Sequence, residues 1–269
     1  MRSTGNSGAS GGSGKSEKSD KSDNSQWKDH FSHASRDYRL WRPGYPRELF
    51  AWLASQTPAT GLAWDCATGN GQAAGVLAEF FSRVVATDAS AQQIHEAEPY
   101  DRVEYRVAPA EKPPLDDASA DLVTVAQALH WFDVERFHAE ARRVLKPSGV
   151  IAEWGYQLAE ISAEIDERVR WFAGVTVGPY WPPERALIDA AYADIPFPFE
   201  TVAAPPFAMK ASWDLAHFVA YLGTWSSVSA YRRRVGSDPL PALYDELAPI
   251  WGSGERDVRW PLHLRVGQK

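Results

Sequence analysis

Trp64-Asp65-Cys66-Ala67-Thr68-Gly69-Asn70-Gly71-Gln72 is the stretch on which the fold turns. The apolar run Leu62 to Cys66 enters it as a strand, and a helix over Gln72 to Phe81 leaves it. A glycine-rich turn between strand and helix lets a ligand approach the backbone and aims free helix N–H groups at it. Outward from this loop the pattern repeats. Strands are predicted at Val84 to Thr87, Val103 to Val107, Leu122 to Ala126 and Val150 to Trp154. Helices are predicted at Ala91 to Ala97 and at Val134 to Leu145, the latter closed by Lys146-Pro147-Ser148-Gly149. Strands alternating with helices predict a parallel sheet covered on both faces.

Beyond Tyr156 the alternation loosens. Helices are predicted at Ala163 to Val175, Glu184 to Tyr192, Trp213 to Leu222 and Leu240 to Ile250. Strand-like runs at Phe199 to Met209 and Val258 to Val266 are expected to form an antiparallel pair completing the sheet edge, and the aromatic-rich pieces between them a lid. The fold class is therefore α/β: a doubly wound, mostly parallel, seven-stranded sheet with a helical lid. On the amino-terminal side, Glu48 to Ser55 and Trp27 to Leu40 read as helices separated by Arg42-Pro43-Gly44-Tyr45-Pro46. Residues 1–25 are almost wholly Ser, Gly, Lys, Asp and Asn, too polar to offset the entropy of ordering, and read as a disordered tail. Residues 26–269 form one domain, with a nucleotide-binding core at about 60–156 and the lid and sheet edge at about 157–269.

Composition narrows the function classes. With 44% hydrophobic and 23% charged residues over a length of 269, the chain can bury a full core. No run is long and apolar enough for a membrane span, and no signal-peptide core is present, so a cytoplasmic protein is expected. A net charge of -7 leaves no excess of cations for phosphate, which argues against nucleic acid; Arg232, Arg233 and Arg234 read as a solvated helix face. The single cysteine, Cys66, excludes an intrachain disulfide and a thiolate zinc cluster, and reads as core. The histidines lack ligand spacing, so no metal is expected.

The loop's ligand follows from its acids. Asp88 ends the second strand 17 residues after Gly71 (88 − 71), close to the spacing of roughly 20 at which an acid meets ribose hydroxyls. An adenosine-containing cofactor is implied. Gly69-Asn70-Gly71-Gln72-Ala73-Ala74 also satisfies a dinucleotide pattern, so an NAD(P)-dependent oxidoreductase is the alternative. Asp65, at the strand end, suits an ammonium group and would repel a pyrophosphate, which favours the methionine end of S-adenosylmethionine.

Tyr38-Arg39-Leu40-Trp41-Arg42-Pro43-Gly44-Tyr45-Pro46, the Asp65 to Gln72 loop, Thr87-Asp88-Ala89-Ser90, Ala110-Glu111-Lys112-Pro113-Pro114 and Ala126-Gln127-Ala128-Leu129-His130-Trp131-Phe132 occur in the order of a known family. Over roughly Trp27 to Gly267 the chain resembles the class I S-adenosylmethionine-dependent methyltransferases, in particular the type 11 group that includes trans-aconitate methyltransferase-like proteins. The resemblance implies a Rossmann-like methyltransferase fold with S-adenosyl-L-methionine as cofactor, S-adenosyl-L-homocysteine as product and no metal. It implies that Asp65, with backbone from Ala67 and Gly69 in the loop that Gly71 closes, holds the methionine moiety. Asp88 accepts the ribose hydroxyls, Ala89 lies against the adenine, and Ala110 and Glu111 meet its amino edge. Gln127 lies beside the sulfonium, and Tyr38 and Arg42 close over the cofactor. Ala67 departs from the family's usual glycine.

His130 stands where the fourth strand opens toward the transferable methyl and is the candidate base or substrate hydrogen-bonding group. Trp131, Trp154, Tyr156, Trp181 and Trp225 are candidates for the substrate pocket. For a carboxylate acceptor the cations to inspect are Arg42, Arg185 and Arg232. Asp116, Asp117 and Asp121 read as a turn before a buried strand. The reaction expected is direct in-line transfer to a small molecule. It needs alignment of the reactants, an effect that reaches roughly 7 to 11 kcal/mol, and no nucleophilic side chain. A protein that binds the cofactor without turnover is the remaining alternative.

Overall fold

Strand β1 (Leu62–Cys66) buries every residue from Ala63 to Cys66, which only a strand covered on both sides can do. Its side chains alternate between two apolar clusters. Ala63 joins Leu49, Phe50 and Leu53 of α1 (Arg47–Gln56) and Ala73, Ala74 and Leu77 of α2 (Gln72–Phe80). Trp64 and Cys66 join Phe137, Ala141 and Val144 of α4 (Val134–Val144) on the other face. The computed structural model describes residues 42–269. The expected tail and the expected helix at 27–40, Tyr38 included, lie outside the described residues.

The remaining elements are β2 (Arg83–Asp88), α3 (Ala91–His95), β3 (Val103–Val107), β4 (Ala120–Ala126), β5 (Leu145–Tyr156), α5 (Ala163–Trp171), α6 (Arg185–Asp189), β6 (Glu200–Thr201), β7 (Ala208–Trp213), α7 (Leu215–Gly223), α8 (Ser226–Val235), α9 (Leu240–Trp251) and β8 (Arg256–Gln268). The sheet order is β3-β2-β1-β4-β5-β8-β6, with β7 paired to β8. The first five strands are parallel, and β8 runs antiparallel to β5 and β6. Laterally the order reverses between β1 and β4, which opens a crevice at the carboxyl ends of those two strands.

Four expectations are corrected. The single strand at 199–209 is two, β6 and β7, because Pro205 and Pro206 supply no N–H to a ladder, so the described residues hold eight strands. β8 lies inside the sheet between β5 and β6 instead of at its edge, and only its first half, up to Pro261, forms the antiparallel pair with β7. Asp121 belongs to β4, fully buried, where its Oδ2 accepts the N–H groups of Gly61 and Leu62, both at 2.9 Å, and its Oδ1 meets Lys146 Nζ at 2.8 Å. It ties the start of β1 to β4. The helix expected to reach Tyr192 ends at Asp189, and Ala191 and Tyr192 both take left-handed backbone, at φ 52° and 57°.

Glu153 on β5 is fully buried, paired in register with Arg265 of β8. Its carboxylate meets Arg265 Nη2 at 2.5 Å and His138 Nε2, from α4, at 2.6 Å. Arg265 Nη1 also donates to the carbonyls of Tyr192 at 3.0 Å and Ile195 at 2.7 Å, so one guanidinium fastens the 192–195 segment to the sheet. Removing one partner of a buried pair strands the other charge. Arg265→Ala is expected to lower the unfolding free energy by about 3–5 kcal/mol, with the Glu153→Met, Arg265→Met double variant recovering most of it. Urea midpoints check this; a single-variant loss below about 1 kcal/mol, the range of exposed pairs, refutes it.

Candidate active site

At the crevice the β1–α2 loop closes on itself. Gly71 N–H donates to Thr68 O at 3.0 Å, and Thr68 N–H reaches across to Thr87 O on β2 at 2.9 Å. Gly71 is the residue before α2, at φ 91°, and a Cβ there would run into the Tyr105 hydroxyl, so glycine is required. Gly69 also has left-handed backbone, at φ 58°, and Ala67 does so as a non-glycine residue, at φ 53°. Asp88 fixes the far side: its Oδ2 accepts Gly69 N–H at 2.9 Å and its Oδ1 accepts Ser90 N–H at 2.8 Å.

Asp65 is 1% exposed at the floor of this loop. Its oxygens accept hydroxyl hydrogens from Thr68 at 2.6 Å and Thr124 at 2.8 Å. Burial pushes its carboxyl up to about 6; the two threonines oppose the shift and the Asp88 charge adds to it. A buried acid in this state favours a cation at its side.

A cleft of about 640 Å³ runs from this floor between the sheet ends and the later segments. Of the residues singled out from the sequence, Arg42, Asp65, Ala67, Gly69, Gln127, His130, Trp131, Tyr156, Trp181 and Trp225 line it. Arg42 Nη1 donates to Tyr156 Oη at 3.2 Å, which ties the amino-terminal segment to the end of β5. His130 is 8% exposed, with Nδ1 3.0 Å from Tyr192 Oη. Burial and then the Arg185 charge hold its pKa down at about 4, so it is neutral at pH 7. Trp131 is 60% exposed at the mouth.

Other expectations meet different surroundings. Trp154 does not line the cleft. It is fully buried, edge-on to Tyr45 and Phe50 with ring centroids 5.5 and 6.0 Å away, because its position on β5 points it into the α1 side of the core. The Gln127 side chain is engaged with the end of β5: its Oε1 accepts Tyr156 N–H at 2.8 Å and its Nε2 donates to Tyr156 O at 3.1 Å. Glu111 Oε1 accepts Asp133 N–H at 2.9 Å, Ala110 is buried in the α4-side core, and Ala89 is exposed beyond β2. Arg185 lines the cleft, lying over the Trp181 ring at 4.4 Å and paired with Asp189 at 2.8 Å; Arg232 does not line it and pairs with Asp238. Sequence reading missed Tyr45, Thr68, Gln157, Ile188, Tyr221 and Thr224, which also line it. Tyr45 and Thr68 lie inside motifs already quoted, where their neighbours drew the assignment; no motif marks the other four, which arrive from loops and helix ends that only the tertiary fold brings together. Among the described residues no three of His, Cys, Asp and Glu are grouped as a metal would need, and no helix is long and apolar enough to cross a membrane.

A family profile described as a methyltransferase domain matches residues 64–152. A protein of Dictyostelium discoideum, provisionally named a methyltransferase, is 33% identical over 250 residues, covering 90% of this chain and 95% of that one. A Mycobacterium tuberculosis protein, named an uncharacterized methyltransferase, is 33% identical over 177 residues, 64% of this chain and 66% of that one. A solved structure from Anaeromyxobacter dehalogenans, described provisionally as a type II methyltransferase, is 45% identical with a TM-score of 0.80, and the match covers 84% of this chain and 97% of that chain.

The loop's backbone makes separable demands. Gly71→Ala adds both strain and the clash with Tyr105, and is expected to cost about 1–3 kcal/mol. Ala67→Gly relieves left-handed strain of roughly 1–2 kcal/mol but gains backbone freedom when unfolded. It is expected to stay within about 1 kcal/mol of the parent. Denaturant midpoints test both, and equal effects from the two variants would refute the distinction.

Proposed function

We propose that this chain, which belongs to the class I S-adenosylmethionine-dependent methyltransferases, methylates a small-molecule acceptor held in the cleft above Asp65. The observation that carries this reading is the mixed chemistry of that one cleft. Its lining combines a buried carboxylate, a glycine-rich loop and the first turn of α2 with the aromatic side chains of Trp131, Trp181, Trp225 and Tyr156. A volume of about 640 Å³ lies within the range of small-molecule sites.

The residues present fit the cofactor. Asp65 supplies the counter-charge for an α-ammonium group, and the first-turn amides of α2, at Gln72 and Ala73, supply donors for a carboxylate that lies along the backbone of Ala67 and Gly69. Arg42, at the rim, adds a cation for the same carboxylate. Each Asp88 oxygen accepts one backbone bond and keeps a lone pair for a ribose hydroxyl. Ala89, Ala110 and Glu111 follow along the adenine side. A dinucleotide would place a pyrophosphate beside the Asp65 carboxylate, a like-charge contact in a buried place.

When bound, S-adenosylmethionine supplies a methyl group on a positively charged sulfur that is already a good leaving group. The chain's task is to hold the acceptor's lone pair in line and to exclude water. The lining tryptophans and the Arg42–Tyr156 contact serve this task. Gln127, tied twice to Tyr156, sets the distance between the ends of β4 and β5 where the reactants meet.

Calorimetric titration with S-adenosyl-L-homocysteine, with NAD in parallel, tests the reading: saturable binding of the former alone is expected, and binding of NAD alone, or of neither, would sink it. Incubation with labelled S-adenosylmethionine and a panel of small acceptors then separates turnover from binding alone. pH gives a sharper outcome. The folded-state pKa of Asp65 near 6 lies above its unfolded value near 4, so ionising it costs the ligand-free chain stability. That contribution, on the order of 3 kcal/mol, is present below about pH 4 and is lost as pH rises to 6. Cofactor binding needs the ionised form. Affinity for S-adenosyl-L-homocysteine is thus expected to fall by up to about tenfold per pH unit below about 6, with proton release on binding. Asp65→Asn is expected to flatten that dependence and weaken binding while raising the ligand-free unfolding free energy at pH 7.5; unchanged affinity would remove Asp65 from the site.

A further inference from the structure

We propose that Tyr192 is a positioning residue that donates its phenolic proton to His130 Nδ1, fixing the Nε2–H tautomer, so that His130 offers the methyl acceptor a hydrogen-bond donor and not a base. The inference rests on the methyl-transfer reading above for its meaning, and on the side-chain geometry for its content.

Three observations converge. The first is hydrogen-bond satisfaction. Tyr192 is 1% exposed, and among the described residues its hydroxyl has one hydrogen-bond partner, His130 Nδ1 at 3.0 Å. A phenol can donate one hydrogen and accept others. If it accepted from Nδ1–H, its own hydrogen would be left without an acceptor among Trp64, Val123, Ile151 and the other apolar side chains of the α4-side core, a costly arrangement for a buried donor. Donation to Nδ1 leaves nothing orphaned. The proton of a neutral imidazole then resides on Nε2.

The second is where the two edges of the ring face. His130 lines the cleft and Tyr192 does not. The Nδ1 edge is therefore turned into the protein, and Nε2, which has no partner among the described residues, is left for whatever enters the cleft. The third is that Tyr192 is held in place from several sides. Its backbone is left-handed at φ 57°, directly after Ala191 at φ 52°, a conformation that persists only where the surroundings enforce it. Arg265 grips its carbonyl at 3.0 Å, and Gly155 of β5 lets the ring approach so closely that a Cβ there would sit 3.2 Å from it. The electrostatics agree: burial and Arg185 keep the imidazole neutral despite the opposing charge of Glu184, while burial and Glu153 push the Tyr192 phenol above its ordinary value, so it keeps its proton.

The consequence concerns the acceptor. A fixed Nε2–H recognises a lone pair, as on a carbonyl, carboxylate or ether oxygen, and cannot take a proton from the nucleophile. An acceptor for this cleft carries such an oxygen near the atom that is methylated, and that atom arrives deprotonated or loses its proton to solvent.

The test uses the full chain labelled with nitrogen-15 at histidine, with long-range proton–nitrogen spectra at pH 7.5 and His130 assigned by the loss of its signals in His130→Gln. The expected result is Nδ1 unprotonated and Nε2 protonated in the parent chain. In Tyr192→Phe both nitrogens are expected to shift toward a mixture of tautomers, while affinity for S-adenosyl-L-homocysteine is retained. A proton on Nδ1 in the parent overturns the proposal, as do unchanged nitrogen shifts in Tyr192→Phe. If that variant does not fold, the parent spectrum alone decides. Failure of the parent chain to bind S-adenosyl-L-homocysteine would instead strike the methyl-transfer reading and leave the tautomer result standing.

Discussion

Asp65, one residue before the end of β1, has its carboxylate buried against two threonine hydroxyls, an arrangement that costs the ligand-free chain stability at neutral pH. A strand end that needed only to be stable would carry an apolar or amide side chain there. The neighbouring structure is shaped to keep the acid in place: Thr124 comes from β4, Thr68 from the loop, and the loop is pinned to β2 by Asp88. The reversal of strand order between β1 and β4 therefore coincides with a buried carboxylate that has no cationic side chain among its hydrogen-bond partners. On the proposed reading, the stability given up locally is what would make the floor of the cleft selective for a cation.

How far the sequence reveals this depends on the range of the interactions. The β1–α2 loop and the alternation down to β5 are legible because they rest on local periodicity and on a glycine, Gly71, whose place no side chain can take. The second half is less legible. Phe199 to Met209 reads as one apolar run, yet its two prolines split it into two strands that meet opposite ends of β8: β6 pairs with Gly267 and Gln268, and β7 with Arg256 to Pro261. The insertion of β8 between β5 and β6 has no local signature, since it depends on Glu153 meeting Arg265 across more than a hundred residues. Asp121 looks like a turn residue by composition, and its burial is paid for by two backbone amides that no sequence pattern announces.

The candidate site shows the same division. Residues tied to strand ends, such as Asp65, Ala67, Gln127 and His130, fall where their motifs put them, because a parallel strand delivers its carboxyl end to one edge of the sheet. Residues chosen for being aromatic divide by register. Tyr156 and Trp154 lie two apart on β5 and share a face of the sheet, yet Tyr156 reaches the cleft because it stands at the strand's end, and Trp154 is sealed beneath Tyr45. Gln127 lines the cleft while its amide holds Tyr156, whereas Glu111 is not among the lining residues and its carboxylate holds Asp133.

The two strands that flank the crevice leave the sheet in the same unusual way. Ala67, just after β1, and Gln127, just after β4, both have left-handed backbone without being glycine, at φ 53° and 55°. Each such residue costs roughly 1–2 kcal/mol relative to a right-handed or extended one, and a random chain would avoid two of them side by side in space. Both are held from the next strand over: Thr68 N–H, one residue past Ala67, bonds Thr87 O on β2, and Gln127 N–H bonds Trp154 O on β5 while its amide clasps Tyr156. The strain thus bends the backbone away on both sides of the reversal point and the cross-strand bonds keep it bent. A glycine at either position would reach the same shape with less strain but would also populate others. With a non-glycine residue at each position, the shape rests on the cross-strand bonds, since the residue itself favours right-handed or extended backbone.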